Sequence, residues 1–152
     1  APTDIRELVL EVVDSLDPPA AITIHMPPHL PTLPTRKLLL QQVFANLISN
    51  AIKHRDRPQG NIHITAQDHG LSYEFAVTDD GPGIAPENHD RIFLIFQTLA
   101  SRDQTENTGV GLSIVKKIIE TEGGAIRVES QLGQGTTFRF TWPKQPARSP
   151  ET

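Results

Sequence analysis

Apolar and polar side chains alternate on both sides of His69-Gly70, with Ile62 and Ile64 before it and Tyr73, Phe75 and Val77 after it. The alternation returns in Ala125–Gln131 and Thr136–Trp142, on either side of the turn Leu132–Gly135. Period-two runs joined by glycine turns predict antiparallel hairpins, and alternation means that only one face of the resulting sheet is buried. That face needs a cover. Three segments supply one at helical spacing: Ile5, Leu8, Val9, Val12, Val13 and Leu16; Leu39, Leu40, Val43, Phe44, Leu47, Ile48, Ala51 and Ile52; and the stretch Gly111–Glu122. Thr3 or Asp4 can cap the first helix and Thr35 the second, which runs to about His54, while Gly123-Gly124 stops the third. Ala21–Met26 alternates like a short strand, and Asp90–Phe96 reads as a short helix. Helices and strands do not alternate regularly, which excludes a doubly wound sheet. The expected class is α+β, a two-layer α/β sandwich whose mixed, mostly antiparallel sheet is covered on one face by about three helices.

With 152 residues the chain is long enough for one domain with a real core. The expected limits are residues 1–143, followed by a disordered tail, 144–152, whose KQPARSPET composition cannot bury apolar surface. A formal charge of −4 opposes a nucleic-acid surface, since phosphate backbones require clustered Lys and Arg. The absence of cysteine fits a reducing compartment, and no run approaches the ~20 apolar residues of a membrane helix. The expectation is therefore a cytoplasmic domain with no membrane contact of its own. A start at Ala1 without a signal-peptide pattern suggests a piece excised from a longer protein.

Candidate chemistry lies in four blocks. Asn46, Asn50, Lys53 and His54 stand at i, i+4, i+7 and i+8, so they share one helix face beside the apolar stripe. An amide oxygen there can ligate a hard cation such as Mg²⁺, and a lysine can add charge toward the same phosphates. Taken alone, the same face is equally a solvated one with an i, i+4 hydrogen bond. Asp79-Asp80-Gly81-Pro82-Gly83-Ile84 follows an alternating strand. A carboxylate at a strand end can accept from an exocyclic amine, and glycines let backbone approach a flat ring, yet the segment alone is ordinary turn chemistry. Arg91–Phe96 is the third block. In the fourth, Thr108-Gly109-Val110-Gly111-Leu112 opens a helix, where free N–H groups favour phosphate, although a turn needs the same glycines. It lacks the G-K-[ST] of a P-loop. His54-Arg55-Asp56 followed by Asn61 matches H-R-D-x-x-x-x-N of eukaryotic-type protein kinases, but no glycine-rich loop or V-A-I-K lysine precedes it and the chain is too short for that fold.

The order of the blocks converts four weak signals into one. The chain resembles the catalytic and ATP-binding domain of bacterial sensor histidine kinases, a branch of the GHKL superfamily of gyrase, Hsp90 and MutL with the Bergerat fold. Asn46–His54 resembles the N box, Asp79–Ile84 the G1 box, Arg91–Phe96 the F box and Thr108–Leu112 the G2 box, and Gly133-Gln134-Gly135-Thr136-Thr137-Phe138 resembles the closing G-x-G-T-x-F hairpin. The match runs from about Asp4 to Pro143. Ile95-Phe96-Gln97 with a short lid is most similar to kinases of the phytochrome and PAS-linked kind.

The resemblance implies ATP and Mg²⁺ as ligands, with Asn50 ligating the metal and Lys53 and lid residue Arg102 contacting phosphate. It places His54 against the nucleotide, Asp79 at the adenine amino group, and Gly81, Gly83 and Ile84 at the pocket floor. Thr108, Gly109, Val110, Gly111 and Leu112 would line the triphosphate, and Thr136 would close the adenine pocket. Asn46 stands where the hydrolytic branch carries a general-base glutamate, so the implied reaction is transfer of the γ-phosphoryl group to histidine rather than hydrolysis. The catalytic set implied is Asn46, Asn50, Lys53 and Arg102. Asn107 replaces the first glycine of the usual G-x-G-x-G, a residue that tolerates left-handed backbone. None of His25, His29, His54, His63, His69 or His89 lies in an H-E-x-x-x-P-type segment. The phosphoacceptor is therefore expected on a separate dimerisation domain of the same parent protein, with a response regulator downstream and the isolated catalytic domain monomeric. The alternatives are a nucleotide-binding regulatory module without transfer activity, a GHKL ATPase or a serine-protein kinase.

Overall fold

A computed structural model describes residues 2–55, 57–85, 87 and 108–145. In chain order the elements are β1 (Pro2–Asp4), α1 (Ile5–Leu16), β2 (Ile22–His25), β3 (Thr32–Pro34), α2 (Lys37–Lys53), β4 (Gly60–Asp68), β5 (Ser72–Asp79), α3 (Thr108–Thr121), β6 (Ile126–Ser130) and β7 (Thr136–Pro143). The main sheet has the order β2-β4-β5-β7-β6. Its β2–β4 pair is parallel and the other three are antiparallel. The α+β two-layer sandwich expected from the two hairpins is the observed fold. The expected short helix Asp90–Phe96, Arg102 and Asn107 lie outside the described residues.

Strand parity decides which side chains meet the helices. Ile62 and Ile64 of β4, Phe75 and Val77 of β5, and Phe138, Phe140 and Trp142 of β7 are all buried. They pack with Leu8, Val9 and Val12 of α1, with Leu40, Val43, Phe44 and Leu47 of α2, and with Leu112, Val115 and Ile119 of α3. Phe44 stands edge-on to both Phe75 and Phe140, with ring centroids 5.5 Å away in each case. The opposite face carries the alternate positions, including Asn61, His63, Glu74, Arg127 and Arg139, and no described helix covers it.

Two local outcomes depart from the sequence expectations. Pro2–Asp4 and Thr32–Pro34 form a small antiparallel ladder beside the main sheet; three-residue strands are too short to show a period. Asp4 caps α1, its carboxylate accepting from the N–H groups of Arg6 (3.0 Å) and Glu7 (3.4 Å). Thr35 does not cap α2. The N-cap residue is Arg36, without a side-chain bond, and the Thr35 hydroxyl instead accepts the indole N–H of Trp142 at 2.8 Å. A buried indole donor left without an acceptor would cost more than an exposed helix end that water can satisfy. Among the described residues no helix is long and apolar enough to cross a membrane.

Candidate functional site

The C-terminal half of α2 and the residues after β5 meet at one end of the sheet. Asn46 and Asn50 are one helical turn apart on α2; Asn50 is buried and Asn46 half-buried, while Lys53 and His54 are exposed at the helix end. The main-chain carbonyl of His54 faces Gly81, where a Cβ would stand 2.8 Å from that oxygen and 3.1 Å from the Asp79 carboxylate. Glycine is required there for the two backbones to touch. At His54, burial of part of the ring, and then the Lys53 ammonium, lower the imidazole pKa. The neutral form is favoured.

Asp79 is the last residue of β5. Burial raises its carboxyl pKa above the ordinary value and the adjacent Asp80 charge adds to the rise, against the opposing N–H groups of Gly81 and Thr136. The Gly81 N–H donates to Oδ1 at 2.9 Å. Thr136, the first residue of β7, is Asp79's register partner and is itself buried. A half-buried acceptor at a strand end, framed by main-chain donors, is suited to a ligand that brings its own donor.

The loop after Asp79 is locked onto the β6–β7 turn. The Gly133 N–H donates to the Pro82 carbonyl at 2.7 Å, and the Ile84 N–H donates to Ser130 Oγ at 2.7 Å. Gly83 has φ +83°, and a Cβ on it would collide with the Gln131 carbonyl; one on Gly135, φ +85°, would collide with the Asp79 carbonyl. These glycines sit where one backbone lies directly on another. Asp80 turns away from Asp79 toward Asn61 of β4. Burial opposes its ionisation, but the Asn61 main-chain N–H (3.0 Å) and Nδ2 (3.1 Å) with the Arg57 guanidinium hold its pKa below the ordinary value. Asn61 in turn bonds His25 Nε2 through Oδ1 at 2.9 Å, and the His25 and His63 rings stack at 4.3 Å.

The expected fourth block forms the first turn of α3, which begins at Thr108 and packs against α2. That places the backbone of Thr108, Gly109, Val110 and Gly111 at a helix N-terminus; Leu112 is buried in the core and anchors the turn. The structure thus brings together Asp79, Gly81, Gly83, Ile84, Thr136 and the end of α2. Ser130 is the member of this end of the sheet that the sequence does not single out, and Asp80, named within its block, has no role assigned there. The parity Ile126, Val128, Ser130 puts Ser130 on the helix-facing side, but its neighbours depend on strand order.

Residues 35–146 match the family described as histidine kinase-, DNA gyrase B-, and HSP90-like ATPase. The chain belongs to that family. Among curated relatives, cyanobacterial phytochrome A of Nostoc sp. (strain PCC 7120) is 52% identical over 114 residues, which is 75% of this chain and 15% of the phytochrome. The chain therefore spans a small part of the proteins it matches. Among solved structures, the catalytic domain of histidine kinase ThkA superposes with a TM-score of 0.76 at 29% identity, over 96% of each chain. Full-length ShkA in complex with AMPPNP gives a TM-score of 0.78 at 36% identity, over 99% of this chain and 32% of ShkA. ThkA is a histidine kinase by name, and the two-layer fold of this chain is that of its catalytic domain.

Proposed function

We propose that this domain binds ATP with Mg²⁺ and transfers the γ-phosphoryl group to a histidine on a separate helical phosphoacceptor domain of its parent protein, in a cytoplasmic two-component pathway. The catalytic unit in this reading is residues 1–143, followed by a tail, 144–152. The observation that carries it is Asp79: a partly desolvated carboxylate held by the N–H groups of Gly81 and Thr136, at the end of the sheet that α2 reaches. Such a group prefers a ligand that donates, as the amino group of adenine does.

The chain's own donors fit a hard cation. Asn50 presents a neutral amide in a buried position one turn from Asn46, and amide oxygens suit Mg²⁺, which keeps phosphate oxygens and waters in its remaining positions. When bound, the ion would neutralise charge on the β- and γ-phosphate oxygens. Lys53 is assigned to the same phosphates, as is Arg102 by the family resemblance, and the amides of Gly109 and Gly111 add main-chain donors at the start of α3. His54 borders the nucleotide as an uncharged ring. Gly81, Gly83 and Ile84 shape the floor beneath the base and Thr136 closes its edge. Thr108 and Val110 complete the turn that Leu112 anchors.

Asn46 separates transfer from hydrolysis. An amide cannot accept a proton from attacking water, whereas a neutral imidazole is already nucleophilic and needs no such base. Barrier lowering then comes from positioning and charge neutralisation. Incubation of the chain with γ-labelled ATP, Mg²⁺ and the purified helical-hairpin domain of its parent is expected to put acid-labile, base-stable label on the hairpin. Saturable ATP binding without label on that partner would overturn the transferase reading in favour of a regulatory module.

A further inference from the structure

Three side chains stand side by side across β5, β7 and β6 on the helix-facing side of the sheet. The register pairs Asp79 with Thr136, and Thr136 with Ser130. Ser130 is the hub of this row. Its Oγ lies 2.7 Å from the Ile84 N, 2.7 Å from the Gly135 carbonyl oxygen and 2.9 Å from Thr136 Oγ1.

Counting protons fixes the direction of every bond. A hydroxyl has one proton to donate and two lone pairs. The Gly135 carbonyl can only accept, so the Ser130 proton goes to it. The Ile84 N–H can only donate, so it takes one Ser130 lone pair. The third partner, Thr136, must then donate to the other lone pair. Thr136 thereby spends its only proton inside the protein. Any ligand group that reaches Thr136 Oγ1 finds an acceptor, as it does at the Asp79 carboxylate next to it.

We propose that Ser130 is a specificity-determining residue: by fixing the direction of the Thr136 hydroxyl, it makes the base-recognition end of the site acceptor-only and selects 6-amino purines over 6-oxo purines. The inference rests on the ATP-binding reading and deepens it. Without Ser130 Oγ, the Thr136 hydroxyl turns over and can donate to a 6-oxo group. Ser130 would act through Thr136, as a positioning residue that touches no ligand.

The test is the ratio of dissociation constants for ATP and ITP, which differ at the purine 6-position, measured by calorimetry with Mg²⁺. The unchanged chain is expected to favour ATP. Ser130→Ala should cut that preference about three- to tenfold, the scale of one hydrogen bond gained or lost. Ser130→Thr, which keeps the hydroxyl, should retain the preference. A structural role alone predicts that Ser130→Ala weakens ATP and ITP by the same factor; an unchanged ratio overturns the proposal. Ser130→Cys keeps a weaker acceptor for the Ile84 N–H and supplies the same readout if alanine fails to fold, with the ratio expected between those of the alanine variant and the unchanged chain. An unchanged chain that binds neither nucleotide would overturn the ATP-binding reading itself, a result distinct from an ATP-selective chain whose ratio ignores Ser130.

Discussion

Two consecutive aspartates end β5, and their surroundings tune them in opposite directions. Asp79 is buried enough to lift its pKa, while Asp80 is held down by Asn61 and Arg57. The signs have consequences for stability. A carboxyl whose folded pKa is raised binds its proton more tightly when folded, so stability falls as pH rises through that pKa. Ionised, Asp79 is then a cost to the fold, which the proposed ligand contact would offset. Asp79→Asn is expected to melt at the same temperature as the unchanged chain or higher at pH 7, and to lose the upward shift that ATP gives. Asp80 has the opposite sign: its contribution is present above the unfolded pKa and is lost as pH falls through the folded one. Asp80→Asn should therefore melt lower than the unchanged chain at pH 7. The gap should begin to narrow as pH falls to the ordinary carboxylate value near about 4, and close only below the lower pKa that Asp80 has in the fold. Melting curves at pH 7 and pH 3.5 check both signs.

At the scale of elements, the site is held by the contact of one loop with one turn, and the glycines there are not equivalent. Gly83 combines a positive φ with a Cβ position inside the Gln131 carbonyl, whereas Gly70, φ +89°, at the β4–β5 turn has open space around it. Gly70→Ala should cost about 1–2 kcal/mol, the backbone strain alone, and leave ATP affinity unchanged. Gly83→Ala adds a backbone collision and should weaken ATP binding at least tenfold as the loop lifts off residues 131–135. Equal effects at the two positions in a binding titration would show that the loop–turn contact does not shape the pocket. The same contrast explains what was legible in advance. Alternation around His69-Gly70 foretold both strands of that hairpin, and the helix face bearing Asn46 and Asn50 followed from spacing alone. Ser130 could be placed on the correct face by parity, but its bonds to Ile84 and Thr136 arise from β6 lying beside β7, a long-range pairing with no local signature. Thr35 carried a helix-cap signal that lost to the indole of Trp142, more than a hundred residues away.

For the molecule as a whole, one sheet face is packed and the other is charged. Glu74 is buried on the uncovered face, where Arg127 (2.8 Å) and Arg139 (3.7 Å) meet its carboxylate, and Glu129 binds both arginines in turn. Glu74 lies five residues before Asp79 on β5, about 17 Å along the strand. Its network therefore supports the sheet without entering the site. Glu74→Ala leaves two arginines facing each other across β6 and β7. Because both are partly exposed, water screens much of the loss, and the expected cost is about 1–2 kcal/mol rather than the larger penalty of a fully buried pair. Saturating ATP·Mg, by contrast, should stabilise the unchanged chain by about 2.7 kcal/mol at a hundred times its dissociation constant. If the two faces are independent, denaturant titrations will give the Glu74→Ala chain a lower midpoint and the same increment from ATP, so that the two effects add. A reduced increment would mean that strain on the uncovered face reaches Asp79 along β5, and the sheet would then have to be treated as part of the nucleotide site rather than as its support.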